Sequence, residues 1–294
     1  MGMRIRTNVT SLVTQRHLRN NNVTLNESLE KLSSGYRINR SKDDSAGLAI
    51  AENMRGKIRG LGQAMRNSND AVSMLSVAEG GMNEMSNILV RMRELTVQAA
   101  TDTVGREDKA YLNREYTQLA AEIDRIAATT EFNGNKFFVE NPENPISNYV
   151  IQVGTNDNPD NTDTLRINLE GLRFTSTELG IGHGAEIGPG PNGESTPNRD
   201  DISSKLTVLD GALRRVASER ATIGALQSRL GSTVNNLAIS LENLNTARSQ
   251  MIDVDFAEET ANLAKQRILT QSNLSVLTQS NALPELALQL LRQG

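Results

Sequence analysis

The sequence predicts a mainly α protein: an elongated antiparallel coiled-coil or helical bundle formed by the N- and C-terminal halves, with a small β-hairpin region at the distal tip. Three observations carry this. Leu209, Val216, Ile223, Leu230, Leu237, Leu244 and Met251 stand seven apart without a break, the period that winds one helix around another. In the first half Ala51, Met54, Ile58, Leu61, Met65, Val72, Leu75, Met82 and Leu89 keep a matching pattern. Between the halves the period changes, because Val150-Ile151-Gln152-Val153 and Leu165-Arg166-Ile167-Asn168-Leu169 read as β runs.

Composition narrows the function. Of 294 residues 37% are hydrophobic but 3% aromatic, with no Trp, which disfavours a compact enzyme-like globule and suits long helices. Cys is absent, so disulfides and thiolate metal sites are excluded, and His17 and His183 are the only histidines. A formal charge of −4 gives no general attraction to nucleic acid. No stretch is long enough to span a bilayer, and no apolar run of signal-peptide type follows the basic Arg4, Arg6, Arg16 and Arg19. The expectation is therefore no nucleic-acid partner, no membrane insertion and, if the chain is exported, a route that reads no cleaved signal.

In chain order, residues 1–34 read as a weakly amphipathic helix. Leu18, Leu25 and Leu32 are seven apart with Leu29 between, but the run Asn20-Asn21-Asn22 makes the helix marginal on its own. Ser33 to Arg40 break it. Ser41 is the expected N-cap of the next helix, with Asp43 and Asp44 in its first turn. That helix runs to about Ala100, roughly 80 Å at 1.5 Å per residue. After a short link, Leu112, Tyr116, Leu119, Ile123 and Ile126 give an antiparallel return helix, which Phe132-Asn133-Gly134 ends with a turn.

The Asn/Asp-rich loop between the β runs holds Asn156, Asp157, Asn158, Asp160 and Asp163 but lacks calcium-loop spacing, so a solvated hairpin loop is expected. Residues 180–200, rich in Gly, Pro and Asn, read as an exposed surface loop. The heptad helix then runs back along the long first-half helix. Leu213, Val234 and Leu241 complete its stripe, and Arg220, Gln227 and Arg248 interrupt it with polar groups that fix register. Asp253 and Asp255 offer a new cap, with Glu258 three residues after Asp255 as in a capping box. In the last helix Phe256, Leu263, Ile268, Leu274, Leu277, Leu283, Leu286 and Leu290 spread around the cylinder, so burial on several sides requires neighbouring copies.

The predicted organisation is a terminal-helix domain from 1–40 and 253–294, a coiled-coil domain from 41–140 and 201–252, and a short β-hairpin and surface-loop region from 141–200. Its expected coiled-coil seam consists of Met54, Ile58, Leu61, Leu75, Met82 and Leu89 against Leu209, Val216, Ile223, Leu230, Leu237 and Leu244.

Several segments resemble bacterial flagellins. Leu29-Glu30-Lys31-Leu32-Ser33-Ser34-Gly35-Tyr36-Arg37-Ile38-Asn39, followed by Asp43-Asp44 and Ala46-Gly47-Leu48-Ala49-Ile50, is similar to the N-terminal signature of that family. Asp255-Phe256-Ala257-Glu258-Glu259, Gln266-Arg267-Ile268-Leu269, Ser275-Val276-Leu277 and Pro284 through Arg292 look like its C-terminal helix. Phe132-Asn133-Gly134 and Ile151-Gln152-Val153-Gly154 resemble the passage from coiled coil to β structure.

The resemblance implies a structural subunit, not an enzyme and without cofactors, that polymerises into an extracellular flagellar filament for swimming. It also implies unfolded export through the flagellar type III apparatus. The implied partners are other copies of the chain, a filament cap protein, a hook-junction protein and an export chaperone. The terminal helices would form the filament core, with Leu18, Leu25, Leu29, Leu32, Phe256, Leu263, Ile268, Leu274, Leu277, Leu286 and Leu290 at subunit interfaces. Val90 to Val97 resembles the flagellin segment sensed by an animal Toll-like receptor, which makes Arg91, Leu95 and Glu115 the candidate contact. Arg91 and Leu95 are i, i+4 and so are expected on one helix face. The alternatives are a hook-filament junction protein and a soluble secreted helical binding module. No His-Glu-x-x-His, phosphate-cradling Gly loop or nucleophile elbow speaks for an enzyme.

Overall fold

Heptads and caps become five helices in the computed structural model, which describes residues 7–139, 148–156, 163–168, 170–182, 185–189 and 198–293, without the side chains of residues 170 and 283–293. The helices are α1 (Val9–Ser34), α2 (Ser45–Ala99), α3 (Arg106–Thr129), α4 (Arg199–Ile252) and α5 (Phe256–Gln293). Two small antiparallel hairpins lie between α3 and α4: β1 (Glu131–Phe132) with β2 (Asn135–Lys136), and β3 (Asn148–Gln152) with β4 (Thr164–Asn168). The chain forms two compact units, residues 1–58 with 242–294 and residues 59–241. Both divisions fall inside α2 and α4, whereas sequence reading put domain limits near 40 and 253, where helices begin and end.

In the unit of residues 59–241, α2 and α4 run antiparallel. Arg93 pairs with Asp210 at 2.7 Å, Gln227 donates to Glu79 at 3.1 Å, and Leu241 touches the Cβ position of Gly62. Leu75, Met82 and Leu89 meet Leu209, Val216, Ile223 and Leu230 in one core, where each buried aliphatic side chain contributes roughly 1.5–3 kcal/mol. Helix α3 adds Tyr116 and Ile123, and because α2 lies against both α3 and α4 it buries two stripes. The second stripe holds Met74, Met85, Met92 and Leu95, which a one-partner heptad leaves out. Leu237 is buried as expected, but Leu61 is only half-buried, since α3 does not reach that far along α2. In the other unit Met54, Ile58 and Leu244 are also half-buried.

Asn133 (φ 52°) and Gly134 (φ 79°) form the tight turn of the first hairpin, a conformation these two residue types favour. The second hairpin sits lower than expected. Instead of standing at the end of α2, it lies along the middle of that helix: the Asn67 side chain donates to the Gln152 carbonyl at 3.2 Å, and Thr155 packs on Gly60. Leu165 and Ile167 alternate inward from β4 and anchor it there.

Residues 180–200 also differ from expectation. Ile181, Ala185 and Ile187 are buried, and Gly188 packs closely on the Lys109 backbone, so the described part of this segment is a strap over the core. Residues 190–197 lie outside the described residues. Asp124 accepts from the Ser176 backbone at 2.7 Å and its hydroxyl at 2.6 Å. Arg215 stacks over Phe174 and donates to the carbonyls of Arg173 and Glu178. Gly and Pro composition signalled a loop, but two isoleucines fixed it to the core. In the Asn/Asp-rich loop the Asp163 carboxylate accepts from the Asn156 backbone at 2.8 Å; Asp157, Asn158 and Asp160 are outside the described residues.

Candidate assembly surfaces

The unit made of both chain ends is built on α1 and α5, whose Cα atoms approach within 8 Å. Small polar side chains permit this: Ser11, Thr14 and Ser28 of α1 and Ser280 of α5 are buried. Asn8 caps α1 by accepting from the Ser11 N–H at 3.1 Å, and its amide donates to the Ser280 carbonyl at 2.8 Å. The Ser280 hydroxyl completes the cluster by donating to the Thr10 hydroxyl at 2.9 Å.

Large apolar side chains are placed the other way round. Leu12 is 56% exposed, Phe256 57% and Ile268 67%, and Val9, Val23, Leu29, Leu274 and Val276 are exposed as well. Among the expected interface residues Leu18, Leu25, Leu32, Leu263 and Leu277 are half-buried, while Leu29, Phe256, Ile268 and Leu274 face solvent. The side chains of Leu283, Leu286 and Leu290 are outside the described residues. So many large apolar side chains left uncovered on two paired helices mark a surface that something binds.

The turn between α1 and α2 holds the two ends of this unit in register. Gly35 ends α1 in the left-handed region (φ 75°), and its N–H reaches the Lys31 carbonyl at 2.8 Å, the cap geometry that favours Gly. The next residues pair with the start of the C-terminal segment: the Arg37 N–H donates to the Ile252 carbonyl at 2.7 Å and the Val254 N–H to the Gly35 carbonyl at 2.9 Å. Asp43 accepts from the backbones of Arg40 (2.9 Å) and Asn39 (3.1 Å), which holds its carboxyl below the usual range. Glu27 bonds Lys42 at 2.7 Å and raises the ammonium pKa.

Ser41 is not the cap of α2. Asp44 takes that role, accepting from the Gly47 N–H at 2.8 Å, because Asp43 is already used in the preceding turn. Asp255 caps α5 as expected, accepting from the backbones of Ala257 and Glu258 at 2.8 and 3.3 Å.

The receptor candidates do not share an exposed face. Arg91 is exposed and donates to Glu115 at 2.8 Å and to Glu94 at 3.0 Å, contacts that raise its pKa further. Leu95 is 1% exposed, inside the core. It belongs to the core that α2 shares with Tyr116 and Leu209, so i, i+4 spacing alone did not place it beside Arg91 at the surface. His17 is exposed on α1, and His183 is outside the described residues. Among the described residues no group of three His, Asp or Glu could hold a metal ion, and no helix is long and apolar enough to cross a membrane.

Residues 5–142 match the bacterial flagellin N-terminal helical region, and residues 206–291 match the bacterial flagellin C-terminal helical region. A flagellin of Bacillus subtilis is 40% identical over 99% of this chain and 100% of its own. The flagellar filament 33 kDa core protein of Treponema phagedenis is 38% identical over 99% and 100%. A crystal structure of Bacillus cereus flagellin is 32% identical and aligns with 58% of this chain and 88% of its own at a TM-score of 0.46. A putative flagellar hook-associated protein from Vibrio parahaemolyticus shares the fold at 15% identity and a TM-score of 0.56, over 72% of this chain and 100% of its own.

Paired chain ends with apolar outer faces define a structural protein made to be covered by further protein. The chain belongs to the bacterial flagellin family. It is a structural subunit of the flagellar filament, an extracellular motility structure.

Proposed function

We propose that the exposed apolar faces of α1 and α5 are the subunit interfaces of the polymer, with Leu29, Phe256, Ile268 and Leu274 at their centre and Leu18, Leu25, Leu32, Leu263 and Leu277 flanking them. The observation that carries this is the inversion of the pair: hydroxyl-bearing Ser11, Thr14 and Ser280 lie inside while Leu12 and Ile268 face water. Burying each such side chain between copies contributes roughly 1.5–3 kcal/mol. The role is structural and not catalytic.

The same faces, free before assembly, suit an export chaperone, a hook-junction protein and a cap protein at the growing tip. A chain without Cys can pass unfolded through a type III apparatus with no disulfide to reduce. For an innate receptor the accessible contact is the Arg91–Glu115 pair, with Leu95 supporting the helix from within. Seeded polymerisation tests the main reading, with filaments viewed by electron microscopy. Ile268→Ser with Leu274→Ser should raise the critical monomer concentration at least tenfold with far-UV circular dichroism unchanged. Normal filaments from that variant would overturn it. Wild-type monomers that never elongate a seed would favour a junction protein instead.

A further inference from the structure

The α1–α5 pair is electrically divided along its length. Asn8 of α1 pairs with Ser280, and Tyr36 just beyond α1 bridges to Asp253, so the two helices run antiparallel and each stretch of one has a fixed neighbour on the other. The half toward Asn8 contains residues 9–26 and roughly 260–282. It carries Arg16, Arg19, Lys265 and Arg267 and no acidic residue. The half toward Gly35 presents Asp253, Asp255 and Glu258 at its surface, with Glu259 buried, and residues 27–44 beside it balance four acidic against four basic side chains.

Among the described residues neither set is neutralised by an ion pair. Arg16, Arg19, Lys265 and Arg267 are all exposed, and none forms an ion pair among the described residues. Glu258 is exposed and also unpaired, whereas the cations of the adjoining turn are engaged locally: Arg40 with Glu30, Lys42 with Glu27 and Arg37 with the Met251 carbonyl. Within one copy the two sets sit about 12 residues apart along the helices, about 20 Å at 1.5 Å per residue, beyond the range of strong interaction at ordinary salt.

We infer that the partner of each half is the opposite half of a second copy: the basic stretch of one α1–α5 pair lies against the acidic stretch of another, displaced by about 20 Å along the helix direction. This rests on the reading of α1 and α5 as subunit interfaces and adds to it a direction and an offset. A contact between two different patches of identical subunits is heterologous and propagates, as a filament requires, whereas two like halves placed side by side repel. The apolar faces supply adhesion without choosing a register, and the charges select one offset among those that grease alone would allow.

The test exchanges charge between the halves. One variant carries Arg16→Glu, Arg19→Glu and Lys265→Glu, and the other carries Asp253→Lys with Glu258→Lys, so that the exposed charge of each altered half changes sign. At about 50 mM salt, where screening is weak, each variant alone should need at least tenfold more monomer than wild type to elongate a seed made of itself. Mixed in equal amounts, every contact of an alternating polymer is again complementary, and the critical concentration should return to within about threefold of wild type. A misfolded variant could not be rescued by mixing, so recovery supports the inference directly. Single variants that polymerise like wild type, or a mixture no better than its components, would overturn it. If Ile268→Ser with Leu274→Ser also polymerises normally, the apolar interface fails as well; if that variant alone is impaired, only the charge register fails.

Discussion

Asn8 and Ser280 lie 272 positions apart in the chain and share a hydrogen bond of 2.8 Å, from the side-chain amide of the first to the backbone carbonyl of the second. The same asparagine caps α1. One side chain therefore begins the N-terminal helix and ties it to the C-terminal one. Asn8→Ala should lower the stability of this pair by about 1–2 kcal/mol, the loss of a cap together with a partly buried hydrogen bond. Hydrogen exchange of monomer should show faster exchange confined to the first turns of α1 and the stretch around Ser280, with residues 59–241 unaffected.

Tyr116 is buried in the core and its hydroxyl has no hydrogen-bond partner among the described residues; burial pushes its pKa from 10 to about 12. Tyr116→Phe removes an unsatisfied polar atom and should be neutral or stabilising, by up to about 1 kcal/mol. The sign of the pH effect follows from which state holds the proton. Between pH 10 and about 12 the unfolded chain loses a phenolic proton that the folded chain keeps, so stability falls as pH rises, by at most about 1.4 kcal/mol per unit, and below 10 this group contributes no dependence. Denaturant midpoints across this range, for wild type and Tyr116→Phe, should differ in slope.

Gln227 and Glu79 meet at 3.1 Å, partly buried between α2 and α4. Replacing both, as Glu79→Leu with Gln227→Leu, should raise the unfolding free energy by about 1 kcal/mol or more while removing a polar pair that distinguishes one register from its neighbours. The loss of specificity is measurable as faster amide hydrogen exchange in α2 and α4 and a lower denaturant m-value despite the raised midpoint.

Leu95→Ala should cost about 2–5 kcal/mol, since the side chain is enclosed in the core. Arg91→Ala should leave the thermal midpoint unchanged, because its partners Glu94 and Glu115 remain in water. If both substitutions abolish receptor signalling, only the Arg91 result reports on contact; thermal melts of the two variants separate these cases.

Much of this was legible in the sequence because one signal had one cause. The heptad from Leu209 to Leu237 faces a single groove, and all five of its residues are buried. Helix α2 was read less fully because it serves two partners; the spacing of Met74, Met85 and Met92 was visible but did not fit a single seam. Ser41, Asp43 and Asp44 all have cap chemistry, and only the turn that consumes the Asp43 carboxylate leaves α2 to Asp44. Ile181 and Ile187 were hidden by their Gly- and Pro-rich setting, since composition reports on backbone freedom and not on what two side chains can anchor. At the assembly surface the sequence told which residues were greasy, but whether each pointed at the sister helix or away from it depended on Ser11, Thr14 and Ser280 lying in the contact.

Those three hydroxyl residues set a dimension as well as a contact. Helices that touch through serine and threonine lie nearer one another than helices spaced by leucines. Every copy added to a fibre repeats that spacing, so enlarging Ser11 or Ser280 by a few carbons would alter the calibre of the whole fibre, a length far beyond the reach of the side chain that was changed.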